Sequence, residues 1–138
     1  MDIQVLYHTK TGHSRKIAQA VAQAVGVQAR DIAQWQEETG CDVLFLVGGI
    51  YGGKSDQKML DLVPRLHPDH VARVVLVTSC TSGTTQQADL RAALLTRGIA
   101  VDSEEFLCLG SFLIFRLGRP NQQDLAEAGR FALRKAQE

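Results

Sequence analysis

A chain of 138 residues is long enough for one compact domain and short for two. Lys plus Arg (15) balances Asp plus Glu (15), so charge gives no case for nucleic acid or an anionic membrane as partner. No apolar run reaches the roughly 20 residues of a membrane helix, and the chain opens on a strand pattern, not a signal peptide.

The first apolar run, "IQVLY" at 3–7, predicts a buried strand. A helical pattern follows over 13–25, with Ile17, Val21 and Val25 on one stripe and Gly26 as its C-terminal stop. A weaker strand is expected over 27–32. Only "AQWQEETGCD" separates it from the next strand, so the helix there should be shortened, with Trp35 covering that face of the sheet. "DVLFLVGG" at 42–49 reads as a central strand. The segment 55–66 predicts a helix capped by Ser55, with Met59, Leu62, Val63 and Leu66 inward and Pro64 kinking or stopping its end. "VARVVLVTS" at 71–79 is the fourth strand, and a helix over 84–97 turns Leu90, Leu94 and Leu95 inward. A looser strand is expected over 103–111. The last helix, 121–136, places Leu125, Ala128, Ala132 and Leu133 inward. Alternating strands and helices of this kind predict a single doubly wound parallel α/β domain with helices on both faces. Cys41, Cys80 and Cys108 form no C-x-x-C pair and no metal-ligand spacing, which fits reduced thiols and a cytoplasmic location.

In doubly wound sheets ligands bind outside the carboxyl ends of the strands. The first such loop here is "TKTGHS", Thr9 to Ser14. Thr9, Thr11 and Ser14 offer hydroxyls, Gly12 admits close approach of the backbone, and the N–H groups of the helix start favour an anion. Lys10, Arg15 and Lys16 add positive charge, and His13 stands in the first turn. The loop is neither a Walker A motif nor a G-x-G-x-x-G fingerprint. It suits a phosphate monoester that is held and not cleaved. The alternative for the same residues is a Ser/Thr-rich helix start without a ligand.

The form [ST]-x-T-G-x-[ST], after an N-terminal strand and opening a helix, resembles the flavodoxin family. The resemblance extends over essentially the whole chain. It implies a five-stranded parallel sheet in the order 2-1-3-4-5 and a bound FMN whose phosphate sits in the loop from Thr9 to Ser14. It also implies that the loop after the third strand, "GGIYGG" (Gly48 to Gly53), lies against the flavin ring. Tyr51 is the stacking candidate there, among Gly49, Ile50, Gly52 and Gly53. Glycines tolerate positive φ, so a peptide beside them can turn its carbonyl towards N5 of the flavin and tune its potential. The fourth-strand loop, with Ser79, Cys80, Thr81, Ser82 and Gly83, would face the pyrimidine side. It lacks the aromatic that flavodoxins commonly carry: either that face is open to a partner or substrate, or the segment 110–121 supplies Phe112 or Phe115, whose alternative is core packing beneath the last helix. The neutral charge also departs from the acidic habit of many flavodoxins.

The leading expectation is an electron carrier between redox partner proteins, a reductase and an acceptor, as monomer or weak dimer. The alternatives are a small FMN-dependent oxidoreductase acting on a quinone or tetrapyrrole, and a flavin-free partner-binding module.

Overall fold

The computed structural model describes residues 1–10, 12–36, 40–80, 86–109 and 118–138. Among them, strands β1 (Ile3–Tyr7), β2 (Ala29–Asp31), β3 (Cys41–Tyr51), β5 (Val71–Cys80) and β6 (Phe106–Leu109) form a parallel sheet in the order β2-β1-β3-β5-β6. This is the doubly wound order expected, with one addition. A two-residue strand, β4 (Lys54–Ser55), turns back antiparallel onto the end of β3. The sheet register sets Leu6 beside Leu46, Phe45 beside Val75, and Val77 beside Phe106.

Alternation along the central strands feeds two cores, which explains why the strand sequences are apolar throughout. Val43, Phe45, Val47, Val75 and Val77 pack under helices α1 (His13–Val25) and α4 (Gln122–Ala136), against Ile17, Val21, Ala128 and Phe131. Leu44, Leu46, Val74 and Leu76 pack under α2 (Gln57–Leu62) and α3 (Ala88–Thr96), against Met59, Leu62, Leu90 and Leu94. Helices therefore cover both faces. No helix among the described residues is long and apolar enough to cross a membrane.

The helix after β1 spans 13–25 as expected, and Gly26 closes it with φ +79°. Among the described residues the second crossover holds a single 3-10 turn, Ile32–Gln34, and Trp35 beyond it is buried in the core with its indole N–H donating to the Arg65 carbonyl at 3.2 Å. Four expectations need correction. Ser55 is not a helix cap: it belongs to β4, and Asp56 caps α2 by accepting the Lys58 N–H. The 55–66 helix ends at Leu62 and tightens into a 3-10 turn, Val63–Arg65, containing Pro64, whose missing N–H and ring stop the α-helix. Leu95 and Leu133 are 54% and 44% exposed, because each stands about 100° round its helix from the buried residue before it, Leu94 or Ala132. The weaker second strand covers only Ala29–Asp31. Of the strand expected over 103–111, Phe106–Leu109 is formed, and 110–111 lie outside the described residues, as do Phe112, Phe115 and positions 84–85 of the expected third helix.

Candidate functional site

β1 ends at Tyr7, and the chain reaches α1 through Thr9, Lys10 and a left-handed Gly12 (φ +91°). The Thr9 hydroxyl accepts the Gly12 N–H at 2.8 Å, which closes the turn into the helix. Gly12 is also the cap residue of α1 and has no side chain to offer the first-turn N–H groups. No acidic residue occupies the first turn. The helix therefore presents its positive end undiminished. Ser14 is buried within this turn, and Lys10, Arg15 and Lys16 are exposed around it. Burial, together with the Lys16 charge, lowers the His13 pKa below the usual 6.5, so its imidazole is neutral at physiological pH. Thr11 lies outside the described residues.

The loop after β3 is a tight hairpin. Ile50 pairs with Ser55 and Tyr51 with Lys54, leaving Gly52 and Gly53 as a two-residue turn with φ +60° and +78°. Positive φ at both turn positions is the requirement of the primed hairpin turn, and it accounts for both glycines. A side-chain carbon at either would touch nothing within 4 Å, so conformation and not space selects glycine here.

Three links join this hairpin to its surroundings. The Tyr51 ring lies over Gly49 and beneath the Lys10 ammonium, 4.3 Å from the ring centre, and its hydroxyl accepts the Lys10 backbone N–H. Burial raises the Tyr51 pKa despite that bond, so the hydroxyl stays protonated. Second, the His8 ring donates from Nδ1 to the buried Asp56 carboxylate, which ties the end of β1 to the start of α2. Third, Asp89 in the first turn of α3 takes both the Ser55 N–H (3.1 Å) and the Ser55 hydroxyl (2.5 Å). Burial alone would raise the Asp89 pKa, but these hydrogen bonds hold it below the usual value.

β5 brings Ser79 alongside Gly49 in register, and Ser79 and Cys80 are both buried at the strand end. Thr81, Ser82 and Gly83 lie outside the described residues. The carboxyl ends of β1, β3 and β5 thus bring together Thr9, Lys10, Gly12, His13, Ser14, Gly49, Ile50, Tyr51, Gly52, Gly53, Ser79 and Cys80. Sequence reasoning did not find Asp56, Asp89, Thr78, Gln87 or Glu105, which brace the same strand ends. Asp56 carried a faint signal as an acidic residue before a helical run; Glu105 carried none. Beside the His8–Asp56 pair a cavity of about 380 Å³ is lined by Asp31, Ile32, Lys58, Leu62 and Arg65.

A flavodoxin domain family model matches residues 4–104. No curated protein matches the sequence. Among solved structures, a flavodoxin from the domain Archaea superposes with a TM-score of 0.77 at 15% identity, covering 99% of this chain and 97% of that one. A short-chain flavodoxin associated with a non-canonical PDU bacterial microcompartment gives 0.71 at 17% identity, with both chains covered completely. The apo form of an NADH:FMN oxidoreductase gives 0.68 at 14% identity, over 98% of this chain and 88% of that one. At such identities these likenesses concern the fold. The family model, which spans most of the chain, carries the assignment: the chain belongs to the flavodoxin family.

Proposed function

We propose that the protein binds FMN across the loops after β1, β3 and β5 and carries electrons between redox partner proteins. The observation that carries this reading is the left-handed turn at Gly12, a cap residue with no side chain, into a helix with no acidic residue in its first turn. That donor set fits a phosphate monoester: hydroxyls from Thr9 and Ser14, backbone N–H groups of the first turn, and cationic side chains around it. Thr11 would complete the set. The family membership supports the same cofactor.

When bound, FMN supplies one- and two-electron chemistry through its ring system. The protein's own residues bind and orient. Gly49 to Gly53 would border the ring, with Tyr51 fixed against Lys10 as a flat apolar wall. Gly52 and Gly53 would let the hairpin peptide turn with the cofactor's redox state. Ser79 and Cys80, with Thr81, Ser82 and Gly83, would border the pyrimidine side. On this reading no side chain acts as an acid or base, and the partners, a reductase and an acceptor, dock at the exposed flavin edge.

A second reading, reduction of a small acceptor such as a quinone, draws on the cavity lined by His8, Asp31, Lys58 and Arg65 at the end of β1.

The test is an absorption spectrum of the purified protein after FMN is added and the excess removed. Flavin bands that stay with the protein support the reading. A colourless protein overturns it and leaves a partner-binding module. Turnover of a quinone with NADH or NADPH and no added reductase would select the second reading over the carrier.

A further inference from the structure

At the level of the sheet just below the two ring-bordering loops, Gly48 of β3, Thr78 of β5 and Leu107 of β6 lie side by side. One residue further on, Gly49 and Ser79 begin those loops. A buried polar cluster sits at this level. Its centre is Glu105, whose side chain is completely buried. One carboxylate oxygen accepts the Thr78 hydroxyl and the Gln87 backbone N–H (2.8 Å). The other faces the Arg91 guanidinium at 3.4 Å, and Arg91 also donates to the Asp102 carbonyl at 2.7 Å. The Gln87 side-chain amide donates to the Thr78 oxygen at 3.0 Å, so the Thr78 hydroxyl gives its proton to Glu105 and accepts one from Gln87.

Gln87 is itself fully buried, and its amide oxygen finds no hydrogen-bond partner among the described residues. That oxygen lies over Gly48, where a side-chain carbon would stand only 3.2 Å from it and 3.2 Å from the Met59 methyl. Glycine at 48 is thus what admits the Gln87 amide between β3 and β5.

Desolvating a carboxylate costs several kcal/mol, and buried ionic groups can often be replaced by apolar ones without loss of stability. Stability alone is therefore a poor reason for Glu105. Geometry supplies a better one. Thr78 stands two residues before the end of β5 and Gln87 is the cap residue of α3, and a single carboxylate holds them together while Gln87 reaches across to Gly48 of β3.

We propose that Glu105 is a positioning residue for the flavin site: it fixes the ends of β3 and β5 and the start of α3 in one arrangement and places a buried negative charge beneath the site. This rests on the FMN-binding reading above. Glu105 touches the cofactor only through the strand ends it holds.

The experiment compares the wild type with Glu105→Gln, Thr78→Val and Thr78→Ser. FMN dissociation constant, midpoint potential of the bound flavin and thermal melting are measured on each. Glu105→Gln keeps the shape but removes the charge and sets an amide where only an acceptor fits. The expected result is FMN binding weakened at least tenfold, with a rise in midpoint potential, since a buried negative charge opposes the added electron. Thr78→Val should weaken binding in the same direction, and Thr78→Ser, which restores the hydroxyl, should recover it. If Glu105→Gln does not fold, the valine and serine variants decide. Lower melting temperatures with unchanged affinity and potential would make the cluster structural only and overturn the proposal. A wild type that takes up no FMN overturns the binding reading and this proposal together. A wild type that binds FMN, with variants that bind it equally well, overturns the role of Glu105 alone.

Discussion

Gly52 and Gly53 show how narrowly a turn can choose its residues. Neither is crowded, yet both hold φ in the left-handed region, where most L-residues are strained by about 1–2 kcal/mol. Gly52→Ala and Gly53→Ala should each lower the urea-unfolding free energy by about 1 kcal/mol, and in the FMN-bound protein each should shift the midpoint potential more than the affinity. Wild-type stability in either variant would show that the turn relaxes to another form. These glycines were readable in the sequence because glycine advertises a backbone need. His8 and Asp56 were not: they lie 48 residues apart, and only the folded sheet makes them neighbours. Ser55 misled for a related reason. As a small hydroxyl residue ahead of a helical run it reads as a cap, but its hydroxyl is claimed by Asp89, 34 residues further on.

Among the elements, the β3–β4 hairpin depends on α3 through that same carboxylate. Asp89→Asn replaces one of two acceptors with a donor facing Ser55, and should cost about 1–3 kcal/mol in chemical unfolding. Amide hydrogen exchange should rise first at Lys54 and Ser55. Unchanged exchange there would mean that the hairpin stands without α3. The other helix layer is set by backbone proximity. Gly129 of α4 faces α1 so closely that a side-chain carbon would stand 3.3 Å from the Ala24 methyl and 3.6 Å from the Ala20 carbonyl. Gly129→Val should push the two helices apart at a cost of about 1–3 kcal/mol, read from the thermal midpoint. Helix α1 was legible to the residue, because its stripe, its turn glycine and its closing glycine agree. Strand β4 was not, since two residues carry no periodicity. The inward faces of α3 and α4 were legible only in part: Leu95 and Leu133 satisfy hydrophobicity but miss the buried stripe, and Phe131 takes the inner place.

Over the whole molecule, the strand order followed from the family pattern, while the charge network that closes the far end of the sheet followed from nothing local. Arg134 and Lys135 hydrogen-bond Glu104 and hold its carboxyl down to about 2, against an ordinary 4.5. The Arg119 guanidinium, in a bidentate contact at 2.5 Å, likewise lowers Asp124. Burial would raise Asp102, but the Glu104 N–H, Lys135 and Arg73 outweigh it. Carboxylates with lowered pKa favour the folded state above their ordinary values, and that contribution disappears as pH falls from about 4.5 towards 2. The carboxylates' share of the urea midpoint should therefore stay flat between about pH 7 and 5 and decline below, whereas His13, with its lowered pKa, begins to cost stability as pH falls through about 6.5. A decline that begins above about pH 6 would assign the acid sensitivity to groups other than these carboxylates.

The cysteines have a practical consequence. Cys41 lies in the core layer beneath α2 and α3, and Cys108 in the layer beneath α1 and α4. Burial pushes their pKa values up to about 11 and about 12, so at neutral pH both remain thiols. Neither should react with iodoacetamide while its layer is closed. The rate at which each is alkylated then becomes a clock for the opening of its own half of the molecule, with no engineered probe.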